Sequence, residues 1–165
     1  NQKDKIMCAK YRKGHFEGVL DVMDKLTNIV KPNKIFMGLK DFQQLFLVKK
    51  FLENKYNTEV IGCKTIREIN KVALSSRNYL LTRENLSIAS KIIKILFDIK
   101  KIIKFKKNKN KYLLNVKNDL QKKYGIKIEY LELRDVNNLK LSNLTNRSKL
   151  FVAYYLDKVR LIDNL

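Results

Sequence analysis

The sequence predicts an α/β chain in two parts: a partial parallel α/β unit over residues 1–65, then a small α+β domain with an antiparallel sheet over residues 66–165. Three observations predict it. Helical and strand-like patterns alternate with short links before Thr65, the periodicity lapses between Thr65 and Asn78, and two long helical patterns followed by three strand-like runs fill the remainder.

Over residues 18–31 the apolar positions Val19, Met23, Leu26 and Val30 recur at helical spacing, and the pattern stops at Pro32, which disfavours helix in its predecessor. A short apolar run, residues 34–37, is bounded by Gly38 and reads as a strand. Asp41 is placed to cap a helix carrying Leu45, Val48, Phe51 and Leu52, and residues 58–63 read as a second strand. Helix, strand, helix, strand is the rhythm of a parallel α/β unit. Thr82 then opens a long helix through Ile88, Ile92, Ile95 and Ile99, a Lys-Asn break follows, and residues 112–124 form another helix ending at Gly125. Residues 126–134 alternate Ile126, Ile128 and Tyr130 against Lys127 and Glu129, and residues 149–156 and 159–162 are likewise strand-like. No internal repeat is evident.

At 165 residues and 45% hydrophobic content, the chain has the material for a buried core. Its first residue is Asn1 and its opening residues carry no secretory pattern, so the start reads as a truncation or an internal cut. The richest apolar stretch, residues 88–105, is interrupted by Lys91, Lys94, Asp98, Lys100, Lys101 and Lys104, so no membrane span is expected. Cys8 and Cys63 are far apart and fit a reducing cytoplasm rather than a disulfide framework. With His15 as its one histidine, the chain offers neither a histidine metal cluster nor a Ser-His-Asp relay, and no metal ligands are assigned.

The formal charge of +20 points first to nucleic acid or an anionic surface. Yet 29 of the 36 cations are Lys, and 17 Asn and 16 Ile accompany them, residues whose codons are rich in A and T. Base readout favours Arg, and single-strand binding interleaves aromatics with cations. Residues 100–111 are a plain Lys-Asn cluster, read as a solvated face without a specific nucleic-acid partner.

Two runs carry chemistry. Gly38, Leu39, Lys40 and Asp41 follow a strand and open a helix, which puts an ammonium group and free backbone N–H groups at the end of a parallel sheet, where phosphate would bind; by itself the run reads equally as a turn glycine with a surface lysine. Ser75, Ser76 and Arg77, in a loop, offer two hydroxyls and a planar guanidinium suited to polyphosphate oxygens.

With both runs in this order, the sequence resembles the pantothenate synthetase (pantoate–β-alanine ligase) family over nearly its whole length. The likeness extends to Gly14-His15-Phe16, Gly18-Val19, Lys25-Leu26, Asn28-Ile29-Val30 and Pro32, to Val60-Ile61-Gly62 and Thr65-Ile66-Arg67-Glu68, and to the runs 130–135 and 160–164. It implies the second half of a Rossmann-like nucleotide-binding domain, residues 1–65, followed by the family's small C-terminal domain, residues 66–165. The implied activity is ATP-dependent: adenylation of the pantoate carboxylate with release of pyrophosphate, then attack by the amine of β-alanine to give pantothenate and AMP, with Mg2+ accompanying the nucleotide.

The resemblance further implies that Gly38, Leu39, Lys40 and Asp41 contact ATP, with Lys40 catalytic on the phosphates and Asp41 near the ribose. Gln44, rather than Gln43, would bind pantoate. Ile66 and Leu74 would flank the adenine, mainly through backbone groups, and Ser75, Ser76 and Arg77 would hold the triphosphate. Two departures stand out: Leu39 where the family has Glu, and Asn70-Lys71 where it has Asp-Gly. His15 lies at a family-typical position and reads as structural. The family's Met-His-x-Gly-His loop and a pantoate-binding glutamine belong to a region upstream of the matched part, so the chain alone is expected to be inactive. The complete enzyme is expected to be a cytoplasmic homodimer joined chiefly through its larger N-terminal domain. The alternatives are a basic nucleic-acid-binding module and an adenylate-forming ligase for another acid or amine.

Overall fold

In the computed structural model, which describes residues 6–165, the chain falls into two units, Asn1–Thr65 and Ile66–Leu165, each with a core of its own. The first contains helices α1 (Met7–Tyr11) and α2 (His15–Val30), strand β1 (Lys34–Gly38), a 3-10 turn (Leu39–Asp41), helix α3 (Phe42–Lys55) and strand β2 (Glu59–Cys63). The strands pair in parallel, from Lys34 opposite Glu59 to Gly38 opposite Cys63. Leu45, Val48, Leu52 and Val60 form the core, with Val19, Leu20, Met23, Ile35, Met37 and Leu39 packed around them.

Helix α2 turns a different face inward from the one its spacing predicts. Val19 and Met23 join the core, but Leu26 and Val30 are 51% and 66% exposed, and the inward line runs instead through buried Phe16 and Thr27 with half-buried Leu20 and Met23. Thr27 is tolerated there because its hydroxyl donates to the Met23 carbonyl at 2.7 Å. Asp24 fastens α2 to the end of α3 by accepting from Lys55 Nζ and the Tyr56 hydroxyl, both at 2.7 Å, and these bonds hold its carboxyl below the usual range.

The second unit holds helices α4 (Arg83–Ile102) and α5 (Lys109–Tyr124) and the antiparallel sheet β3 (Lys127–Asp135), β4 (Ser148–Leu156) and β5 (Val159–Asn164), in that spatial order. Thr82 caps α4, its hydroxyl accepting from the Asn85 N–H at 3.1 Å, and Gly125 ends α5 in the left-handed conformation that glycine adopts without strain. Helix α5 begins at Lys109, earlier than the apolar pattern indicates, because the Asn108 side chain caps it by accepting from the Lys111 N–H. Ala89, Ile92, Ile93, Leu96, Ile99 and Ile103 are the buried face of the α4 region, packed in one core with Leu131, Leu133, Val152 and Tyr154 of the sheet. Among the described residues, no helix is long and apolar enough to cross a membrane.

Strand β3 departs from strict alternation. Its register with β4 slips between Ile128 and Tyr130, and Glu129 at the slip is buried where a polar outward position is predicted. Arg160 of β5 neutralises it through Nη2 at 2.7 Å and Nε at 3.0 Å.

Candidate functional site

In the first unit the candidate residues follow one another along a strand-to-helix passage. Gly38 ends β1 in extended geometry, and a side chain built at its Cα would meet only open space. Leu39, Lys40 and Asp41 make the 3-10 turn that leads into α3. The sequence reading makes Asp41 a side-chain cap. It does take the N-cap position of α3, but its side chain makes no capping bond; the carboxylate faces Lys40 Nζ at 3.2 Å instead. Asp41 therefore gives the start of this 14-residue helix no side-chain cap, and an ammonium group stands beside it. Such a passage suits an anion.

Leu39 explains itself by packing. Its side chain joins the core of the unit, and its Cδ2 lies 2.9 Å from where a Cβ on Gly62 would stand. Apolar contact across the sheet thus sets the turn that carries Lys40. Gln43 and Gln44 separate cleanly: Gln43 is buried, its Oε1 accepting from Cys8 N and its Nε2 donating to the Ile6 carbonyl, both at 3.0 Å. Gln44 is half-buried, and its amide has no hydrogen-bond partner among the described residues. His15 opens α2 with its ring tilted on Phe16 at 5.0 Å.

In the second unit, residues 66–80 form a narrow hairpin followed by a 3-10 turn (Ser76–Leu80). The hairpin closes through Glu68 N–H to the Val72 carbonyl and Leu74 N–H to the Ile66 carbonyl, each 2.9 Å. The reciprocal bond from Ile66 N–H to Leu74 is not made, so one donor and one acceptor remain at the open end, flanked by exposed Ile66 and Leu74 side chains. That pair matches the donor–acceptor edge of an adenine. Ser75 caps the 3-10 turn, its Oγ accepting from Arg77 N–H at 3.3 Å. Its hydroxyl proton is still free to donate. Ser76 is exposed, and Arg77 is held through Nη1 on the Arg160 carbonyl at 3.0 Å.

Residues without an assigned role in the sequence reading fix this hairpin. Arg67 grips Asp163 with Nη1 and Nη2 at 2.6 and 2.9 Å, donates to the Lys71 carbonyl at 3.0 Å, and lies over the Phe97 ring. Glu68 accepts from Asn78 Nδ2 at 2.7 Å and Asn70 Nδ2 at 3.2 Å, while Ser90 of α4 donates to the Asn70 carbonyl at 2.8 Å. The available signal was charge inside apolar strands, Glu129 between Ile128 and Tyr130 and Asp163 after Ile162. Near Asp163, burial pushes the Tyr154 hydroxyl up and the Lys149 ammonium down, the latter helped by Lys100 and Arg67.

Lys71 has φ +74°, the region that favours glycine, and Asn70 stabilises the turn by accepting from Val72 N–H at 2.9 Å.

The fold is a parallel α/β unit followed by a three-stranded α+β unit, and each unit bears a turn whose polar groups suit an anion. The profile of the family described as Pantoate-beta-alanine ligase matches residues 1–165, and the chain belongs to that family. It is similar to a pantothenate synthetase of Flavobacterium psychrophilum, at 37% identity over 96% of this chain and 57% of the relative. It is equally similar, at 37%, to a bifunctional pantoate ligase/cytidylate kinase of Trichodesmium erythraeum, over 97% of this chain and 31% of that protein. Among solved structures, a Thermus thermophilus pantothenate synthetase superposes with a TM-score of 0.90 at 28% identity, covering 100% of this chain and 60% of that one. A Francisella tularensis pantoate-beta-alanine ligase, complexed with beta-gamma ATP and beta-alanine, superposes at 0.78 with 36% identity, covering 100% of this chain and 55% of that one. The chain thus spans somewhat more than half the length of its pantothenate synthetase relatives.

Proposed function

We propose that the complete protein is an ATP-dependent ligase that condenses pantoate with β-alanine, and that this chain supplies part of its nucleotide and pantoate contacts. Pantoate's carboxylate attacks the α-phosphorus of ATP and pyrophosphate leaves; the amine of β-alanine then attacks the acyl carbon and AMP leaves. The observation that carries this reading is the passage from β1 into α3, where an ammonium group stands at a helix start that Asp41 does not cap, beyond an open glycine.

Lys40 stabilises charge building on the phosphate oxygens, Asp41 lies toward the ribose and Gln44 offers its unpartnered amide to pantoate. The open end of the 66–74 hairpin reads adenine, and the Ser75 and Ser76 hydroxyls with Arg77 hold the triphosphate. Mg2+ enters bound to the nucleotide. The phosphate oxygens and water are expected to hold most of its coordination. The complete protein acts as a cytoplasmic homodimer.

Pantoate-dependent exchange of labelled pyrophosphate into ATP, measured on protein from the complete reading frame, tests the reading. Exchange that requires pantoate supports it; exchange driven only by another acid, or none with any acid, rejects it.

A further inference from the structure

We propose that Glu68 is a positioning residue for the turn Ser75, Ser76 and Arg77, which rests on the reading of that turn as the triphosphate cradle. Its carboxylate joins the two sides of the loop: Oε1 accepts from Asn78, directly after Arg77, and Oε2 accepts from Asn70, at the hairpin tip. Asn78 Nδ2 also donates to the Ala73 carbonyl at 3.1 Å. Two acceptors therefore fix the amide orientation, and Asn78 Oδ1 is left buried without a partner. A fold that leaves an acceptor unsatisfied to keep Nδ2 on Glu68 and Ala73 is held there by that pair of bonds. Asn78 N–H in turn donates to the Ser75 carbonyl at 3.0 Å, so the strut ends on the backbone that aims the serine hydroxyls.

The chemistry of the carboxylate is specific. Both partners present N–H donors, and only a group with two acceptor oxygens satisfies both. Glu68→Ala removes the strut. Glu68→Gln keeps one acceptor for Asn78 and sets an amide against the amide of Asn70. Adding Asn70→Asp restores complementarity, because the new carboxylate accepts from the glutamine and still accepts from Val72 N–H.

The test has two arms. In the 165-residue chain without ligand, amide hydrogen exchange at Arg77 and Asn78 is expected to quicken about tenfold in Glu68→Ala and return toward the parent rate in E68Q/N70D. In the complete protein, Glu68→Ala is expected to raise the KM for pyrophosphate about tenfold in the exchange reaction while the KM for pantoate, a Gln44 ligand, stays within twofold. The double variant is expected to regain the pyrophosphate KM. A parent protein without pantoate-dependent exchange rejects the ligase reading and this inference with it. An active parent whose Glu68→Ala variant shows an unchanged pyrophosphate KM, or equal rises in both KM values, rejects the inference alone.

Discussion

The lysine turn and the serine–arginine turn are held by opposite means. Around Gly38 to Asp41 the backbone is set by volume: Leu39 fills the space over Gly62 and beside Leu45, while Lys40 Nζ pairs locally with Asp41 at 3.2 Å. Around Leu74 to Arg77 the backbone is set by a polar frame of Arg67, Glu68, Asn70, Asn78 and Ser90. A turn fixed by packing responds to changes of size. A turn fixed by charge-assisted bonds responds to the loss of a single acceptor or donor.

The sharpest way to break the polar frame is Arg67→Met. Asp163 has a side chain only 3% exposed, and this change removes the two guanidinium bonds to its carboxylate while freeing the Lys71 carbonyl. Removing one partner of a buried ion pair costs about 3–5 kcal/mol. Urea unfolding of the second unit should show that loss; a midpoint within about 0.5 kcal/mol of the parent, the range of an ordinary surface substitution, would mean the pair is not structural.

On the packed turn, Lys40→Ala separates chemistry from stability. Its ammonium group belongs to neither apolar core and pairs with the half-exposed Asp41, so the melting transition should shift little beside the loss of exchange. Pantoate-dependent exchange should fall about a hundredfold to a thousandfold, the usual cost of a missing transition-state donor. Near-normal exchange would take Lys40 out of the mechanism.

These two sites also mark what was legible. The parallel strand pair, Thr82 as a cap and Gly125 as a helix stop follow from local rules, because apolar spacing and one capping residue act within a few positions of themselves. The inner face of α2 was not legible. Val19, Met23, Leu26 and Val30 share a helical spacing, but the sheet and α3 offer cover to only part of that stripe, and Leu26 and Val30 lie beyond it. The candidate turns could be found from their residue types, whereas Arg67–Asp163 spans 96 positions and Arg160–Glu129 spans 31. Periodicity carries no information at such separations.

Gly62→Ala tests the role of volume. The new Cβ would stand 2.9 Å from Leu39 Cδ2 and 3.0 Å from Leu45 Cδ2, so a leucine tip must swing aside. Overpacking of this kind costs about 1–3 kcal/mol, and the yielding tips put this case at the low end. Pairing it with Leu39→Ala should recover part of the loss in urea unfolding if the contact is the cause; purely additive losses would place the strain elsewhere.

The smallest effect returns to the polar turn and has the opposite sign. Lys71 holds φ +74° without glycine's freedom, a conformation that costs an L-residue about 1–2 kcal/mol. Its N–H donates to the Glu68 carbonyl at 2.8 Å and its own carbonyl accepts from Arg67, bonds that Lys71→Gly preserves because both are backbone groups of residue 71. Glycine gives back about 0.5–1 kcal/mol through the greater freedom of the unfolded chain, so the net expectation is a gain of about 0.5–1 kcal/mol. Lys71→Ala retains a Cβ and should give no such gain. Equal urea midpoints for the glycine and alanine variants would show that the lysine side chain, and not the backbone angle, governs the stability of this turn.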